Sequence, residues 1–360
     1  MTMASNSAIH IKAAPAPEYD ALFQRSSART ASSWIGADGD YSVALDKDTV
    51  LWLYSDTFVG NVKDNRRVDT VMINNSIAIQ RIGAKKSVEF FYGTDKGGKP
   101  SAFVIPDDGR GYYWLFDGAM TTKGLFFFLT RVEHSDASPV FPFRLFGMNL
   151  AHVTNPSDPP PKWRIEQHNV PFSRFMRDGT IHFGSATLKA GSYFYIYGVD
   201  SFRKDEAGNR LNAMIVARVP EDKFGSFPAW RFFSGGKWKT GFEQCDPMFS
   251  NVATEYSVSY IPGIKQYAAV YTEGGLYGKI IVRLSPKPEG PWGPPITVYE
   301  CPDKDWHEKT YSYAAKAHPE LSDSPNELIV TYATNSMHFP DLFDDARLYW
   351  PRFVRLTFGK

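Results

Sequence analysis

Five times along this chain a set of three β-prone segments returns, and that repetition limits the fold more than any single motif does. The sets are Tyr41 to Leu45, Thr49 to Ser55 and Ser76 to Gln80; Ser101 to Pro106, Tyr112 to Asp117 and Leu125 to Arg131; His182 to Leu188, Tyr193 to Val199 and Ala213 to Val219; Glu255 to Ile261, Gln266 to Thr272 and Lys279 to Ser285; and Tyr313 to Leu321, Glu327 to Thr334 and Arg352 to Phe358. The middle strands recur with a period of roughly 60 to 80 residues, longer than the roughly 40 to 50 of common propeller blades. The excess sits in loops such as Pro156 to Lys162 and Pro286 to Pro295. The expected fold is therefore all-β, a five-bladed β-propeller of antiparallel three- to four-stranded blades. A β-sandwich competes, but it gives no reason for five matched sets. No segment reads as a convincing helix; Glu18 to Arg25 is at most one or two turns.

The first set carries the most suggestive chemistry. Tyr41 to Leu45 alternates as a half-buried strand should, Thr49 to Ser55 is apolar, and Asp46, Lys47 and Asp48 between them read as a turn. Antiparallel pairing about that turn brings Asp38 and Asp40 level with Asp56. Carboxylates held a few ångströms apart cannot all ionise freely, so one tends to keep its proton while another stays a base. That is the equipment of glycoside hydrolysis. The plainer alternative is that these aspartates only shape turns.

Forty basic against 39 acidic residues give a net charge of +1, so no field draws the chain to nucleic acid or anionic lipid. A neutral partner such as a carbohydrate is favoured. No apolar run reaches the about 18 residues that a membrane helix needs. The two cysteines, Cys245 and Cys301, make no disulfide scaffold and match no metal-ligand spacing. Residues 1–30 lack the basic start and apolar middle of a signal peptide. They are expected to be a linker or a blade-closing segment ahead of a single propeller domain at 31–360. A secreted or periplasmic protein is the expectation, with its export signal outside this chain.

Gly36 to Asp38 (GAD), Leu51 to Phe58 (LWLYSDTF) and Asn74 to Ser76 (NNS) resemble a bacterial family of five-bladed propellers first catalogued as domain of unknown function 4185. Its characterised members are mycobacterial-type endo-D-arabinanases of glycoside hydrolase family 183. GSA at 184–186, RLSPKPEGPW at 283–292, KAHPEL at 316–321 and YATNS at 332–336 are similar in the same order. The resemblance implies a catalytic pair at Asp38 and Asp56 and, more loosely, an arabinofuranoside-type linkage as substrate. Ser55 stands where that family often has glycine.

In a propeller the innermost strands line the axis, so polar residues beginning them are the next candidates. Glu255 is the leading extra acid, since a carboxylate on a buried strand must be paired or functional. Asp40, Glu255 and His318 are read as catalytic or substrate-binding. Asn74, Asn75, Asp178, His182, Tyr256, Glu320 and Trp34 are read as substrate-binding, with Tyr41 and Trp114 as further rings able to stack on a sugar face. No group of histidines and carboxylates has metal-ligand spacing, so no cofactor is expected, although the fold admits a structural metal ion in the axial channel. Two rivals to the hydrolase are a glycan-binding propeller using the same pocket without chemistry and a polysaccharide lyase using Tyr or His as base.

Overall fold

The computed structural model describes residues 9–27, 33–83, 86–136 and 142–359. They form a five-bladed antiparallel β-propeller. Its blades begin with the strands Tyr41–Ala44, Tyr112–Thr121, Gly179–Ala190, Tyr256–Ile261 and Thr310–His318. These five inner strands pack side by side around the axis, each touching the next and the last touching the first. Tyr193–Lys204, the second strand of blade three, shows why the segments fold as they do. Its β-branched and aromatic stretch from Phe194 to Val199 is buried on both faces, which suits a strand covered by neighbouring blades on either side. The core is accordingly a set of apolar layers between blades. One layer joins Leu51, Leu53 and Ile77 of blade one to Phe127 and Leu129 of blade two. Another joins Val270 and Val282 of blade four to Val330 and Leu356 of blade five.

Blade five is assembled from both ends of the chain. His10–Pro15 pairs with Arg352–Gly359 over six residues and supplies the fourth strand. The segment after it is a helix, Pro17–Ser27, longer than the one or two turns expected. Proline opens it, Glu18 and Asp20 occupy the first turn and Arg25 the last, all favourable for the helix dipole. Tyr19, Leu22 and Phe23 share its buried face. Phe23 wedges against Trp52 and Phe353, each with ring centroids 5.1 Å away.

Strand order departs from the sequence reading in the second blade. Ser101 to Pro106 is loop apart from Pro100–Ser101, which pairs with Gly93–Thr94. Tyr112–Thr121 is the inner strand, followed by Gly124–His134, Phe143–Val153 and Ile165–Asn169. Asn75 explains the loop: its Oδ1 accepts from the Val104 N–H at 2.8 Å, and its Nδ2 donates to the Val104 and Tyr113 carbonyls at 2.9 Å. Those groups are thereby withdrawn from any sheet. With Gly124 rather than Tyr112 opening the second strand, the five blades become more evenly spaced along the chain.

Besides that two-stranded ladder, a larger sheet lies outside the repeat. Ser33–Ala37, Thr57–Lys63 and Arg66–Ile73 form a three-stranded annex inserted into blade one. It is pinned by the 341–349 segment of blade five, through Asn65 Nδ2 to Asp345 Oδ1 at 3.0 Å and an Arg66–Asp344 ion pair. Cys245 and Cys301 are both free and buried.

Candidate active site

The hairpin register expected from the turn runs on past the hairpin. Tyr41 faces Leu53 in blade one and Ala37 faces Thr57 in the annex. Between them the Asp38 N–H donates to the Asp56 carbonyl at 3.3 Å and the Ser55 N–H to the Asp38 carbonyl at 2.9 Å. Asp38 and Asp56 are thus level, at the N-terminal end of the inner strand. Close backbone approach demands glycine at 36, where φ is +134° and a Cβ would lie 2.4 Å from the Tyr349 carbonyl oxygen.

The two carboxylates have different surroundings. Asp38 Oδ2 accepts from the Tyr313 hydroxyl at 2.6 Å, and the Tyr349 hydroxyl also hydrogen-bonds to this carboxyl. Its Oδ1 has no partner among the described residues. Burial first, then the charges of Asp56 and Glu255, push its pKa well above the usual carboxylate range. Asp56 Oδ1 accepts from the Trp114 indole N–H at 3.0 Å and more weakly from Asn74 Nδ2 at 3.5 Å. Burial raises its pKa to about 6, against the pull of those two donors on the ionised form. As residues both are half-buried, with Oδ1 of Asp38 itself buried. Burial thus raises the proton affinity of both carboxyls, and the pair keeps a proton to higher pH than isolated carboxylates would.

Glu255 brings a third carboxylate from the start of the blade-four inner strand. Its Oε1 lies 3.1 Å from Lys316 Nζ, a fully buried ammonium that also donates to the Ala314 carbonyl at 2.8 Å. Lys316 sits 4.4 Å from the Tyr41 ring centroid. A β-bulge between Tyr313 and Lys316, with Ala314 at φ +60°, lets one strand send a hydroxyl to Asp38 and an ammonium to Glu255. Asp40 lies beneath, fully buried, at φ +51°, with both oxygens unpartnered among the described residues. Burial lifts its pKa to about 7 despite the attraction of Lys316.

Acids from blades one and four, with donors from blades two and five, thus meet at one end of the ring. The profile of a family described as Domain of unknown function (DUF5005) matches residues 17–358. The chain belongs to the DUF5005 family. The motif resemblance to domain of unknown function 4185 is therefore to a differently described family. A crystal structure from Bacteroides ovatus, named provisionally as a hydrolase, resembles this DUF5005 chain with a TM-score of 0.74 at 19% identity, over 96% of this chain and 90% of that one. The GH43_1 enzyme from Xanthomonas citri complexed with xylotriose gives 0.50 at 12% identity, over 95% and 93%. At such identities the likeness is one of fold. No curated protein matches the sequence.

Several residues read as ligand contacts are structural in the DUF5005 chain. Trp34 is buried, donates to Ser76 Oγ at 3.1 Å and stacks on Phe90 at 4.3 Å. Tyr256 is buried and donates to the Gly198 carbonyl at 2.8 Å, tying blade four to blade three. Asn75 is consumed by the blade-two loop, and Tyr41 is buried beside Lys316. His182 is buried between Phe116 and Phe175, and burial lowers its pKa to about 4, which keeps it neutral. Asp178 stands exposed at a hairpin turn.

His318 and Glu320 lie farther along the axis. The C-terminal halves of the inner strands line a cavity of about 300 Å³ there, with Asp117, Thr187 and Ser42. Both ring nitrogens of His318 are engaged, with Ser42 Oγ at 2.6 Å and Thr331 Oγ1 at 2.7 Å, and it is fully buried. It anchors the inner strand rather than meeting the acids.

Sequence reasoning missed Tyr313, Tyr349 and Lys316. Tyr313 carried a signal, since Tyr311 and Tyr313 share one face of an inner strand. Tyr349 carried none, because only the packing of the 341–349 segment on the annex brings it to Asp38.

Proposed function

We propose that this protein is a glycoside hydrolase whose acidic pair is Asp38 and Asp56, with Glu255 as a third carboxylate in the same field. The carrying observation is that one backbone register sets two carboxylates level at one end of the ring, each with its own donors, Tyr313 on Asp38 and Trp114 with Asn74 on Asp56, since glycosidic cleavage needs a carboxylic acid and a carboxylate side by side. Tyr313 holds Oδ2 of Asp38 and leaves Oδ1 without a partner among the described residues, free to carry the proton that is donated. Trp114 and Asn74 hold one oxygen of Asp56 and leave the other without a partner among the described residues, available to activate water or attack the anomeric carbon. Lys316 fixes Glu255.

The substrate class proposed is a neutral poly- or oligosaccharide. The propeller likeness to a GH43_1 enzyme complexed with xylotriose supports this reading, and the GAD and DTF motifs favour an arabinofuranoside-type linkage among the candidates. A tyrosine-based lyase is disfavoured: burial and the neighbouring carboxylates push the pKa values of Tyr313 and Tyr349 well above 10, so neither phenolate forms readily.

The test is a panel of neutral glycans, arabinans included, assayed for binding and for new reducing ends. Release of reducing ends from at least one member is expected. Binding without product would replace this reading with that of a glycan-binding propeller.

A further inference from the structure

Away from the acidic pair, the outer edge of blade two presents three side chains from one sheet face. His152 lies on the strand Phe143–Val153, and Glu166 and His168 lie on its partner Ile165–Asn169. His152 faces Glu166 directly across the ladder, and His168 is two residues beyond Glu166 on the same face. The proline-rich loop at 156–162 separates them in sequence, which hides the grouping from any reading of spacing. We infer that His152, Glu166 and His168 form a binding site for a divalent transition-metal ion of the zinc type.

The distances favour a shared cation over direct hydrogen bonds. Glu166 Oε2 lies 3.6 Å from His152 Nδ1 and 3.5 Å from His168 Nε2. A charge-assisted N–H···O contact closes to about 2.7–2.9 Å. Two ligand atoms each about 2.1 Å from a tetrahedral ion stand roughly 3.4 Å apart. All three ligand atoms lie within 4.8 Å of one another.

The orientation of the His152 ring points the same way. Its Nε2 lies 2.8 Å from the Lys123 carbonyl oxygen, which can only accept, so Nε2 is the donating nitrogen and Nδ1 is the one turned towards Glu166. An imidazole whose far nitrogen donates to a backbone carbonyl is the usual arrangement of a metal-ligating histidine. Stacking on Phe126, at 4.2 Å and 5° between planes, fixes the ring further.

Two imidazoles and one carboxylate suit zinc better than magnesium or calcium, which prefer oxygen ligands. Three protein ligands leave a fourth position for water or for an oxygen of a bound molecule. That position adjoins a cleft of about 1000 Å³ between blades two and three, lined by His152, His168, Lys123, Tyr193 and Arg218. The ion would also fasten the edge strand of blade two to its neighbour.

Isothermal titration of the full chain with zinc chloride, and separately with magnesium chloride, tests the assignment. One equivalent of zinc should bind, with magnesium at least tenfold weaker. His168→Ala and Glu166→Gln, both at exposed positions that leave the fold intact, should each weaken zinc binding by at least tenfold and abolish any zinc-dependent rise in Tm. Absence of zinc binding, or binding unchanged in both variants, would overturn the site.

Discussion

Among single residues, the account turns on which aspartate carries the proton. Because the pKa of Asp56 is raised only to about 6, hydrolysis should rise with pH through that value as its carboxylate forms. It should fall again at higher pH, when the pair loses its remaining proton. A pH–rate profile of kcat/KM would show both limbs, and a rate independent of pH between 5 and 7 would contradict the assignment. Asp40 gives a separate, thermodynamic expectation. Its folded pKa of about 7 lies above the unfolded carboxylate value, so its contribution to stability is full in acid and is lost as pH rises towards 7. Asp40→Asn, in a left-handed conformation that asparagine tolerates, should therefore raise Tm at pH 8 and change it little at pH 4. The full shift sets a ceiling of about 4 kcal/mol. Asp38 and Asp56 were legible as neighbours because one hairpin register sets them level, while Asn74 was legible only through the NNS motif that follows the hairpin. Trp34, Asn75 and Tyr256 were misread because an indole, an amide or a phenol looks alike in sequence whether it meets a ligand or a buried acceptor of the protein itself, here the Ser76 hydroxyl or a backbone carbonyl.

At the scale of elements, the annex and the 341–349 segment act together through Arg67. Its guanidinium is buried and donates to the carbonyls of Ile35, Leu342, Ala346 and Leu348. Burial lowers its pKa to about 10, which still leaves it charged. Those carbonyls belong to the strand leading into Asp38 and to the segment carrying Tyr349. Arg67→Met should strand them and cost on the order of 3–5 kcal/mol, measured as a lower denaturant midpoint, with activity falling alongside. A loss under 1 kcal/mol would show that the staple is dispensable. The second and third strands of blades one, three, four and five were legible, since their apolar runs are bounded by turns. The annex was not, because its outer strand, Arg66–Ile73, begins with two arginines, carries Asp69 mid-strand and shows no regular alternation of apolar and polar residues.

Over the whole molecule, closure of the ring rests on His10–Pro15. Deleting residues 1–16 should expose the edge of Arg352–Gly359, lower Tm by on the order of 5 °C and promote self-association, seen by calorimetry and light scattering. The five repeats made the ring legible. The role of the N-terminal strand was left open, as linker or closing segment, because its pairing partner lies at the other end of the chain. The same long-range assembly brings Tyr313, Tyr349 and Lys316 to acids of blades one and four, and the proposed chemistry needs all of them in place. The most direct measurement is the initial rate of reducing-end release on a glycan that the wild-type protein cleaves, compared among wild type, Asp38→Asn and Asp56→Asn at matched folding. A loss of about 10² to 10⁴ in kcat for each variant is predicted, and rates within a few-fold of wild type would contradict the claim that this pair does the chemistry.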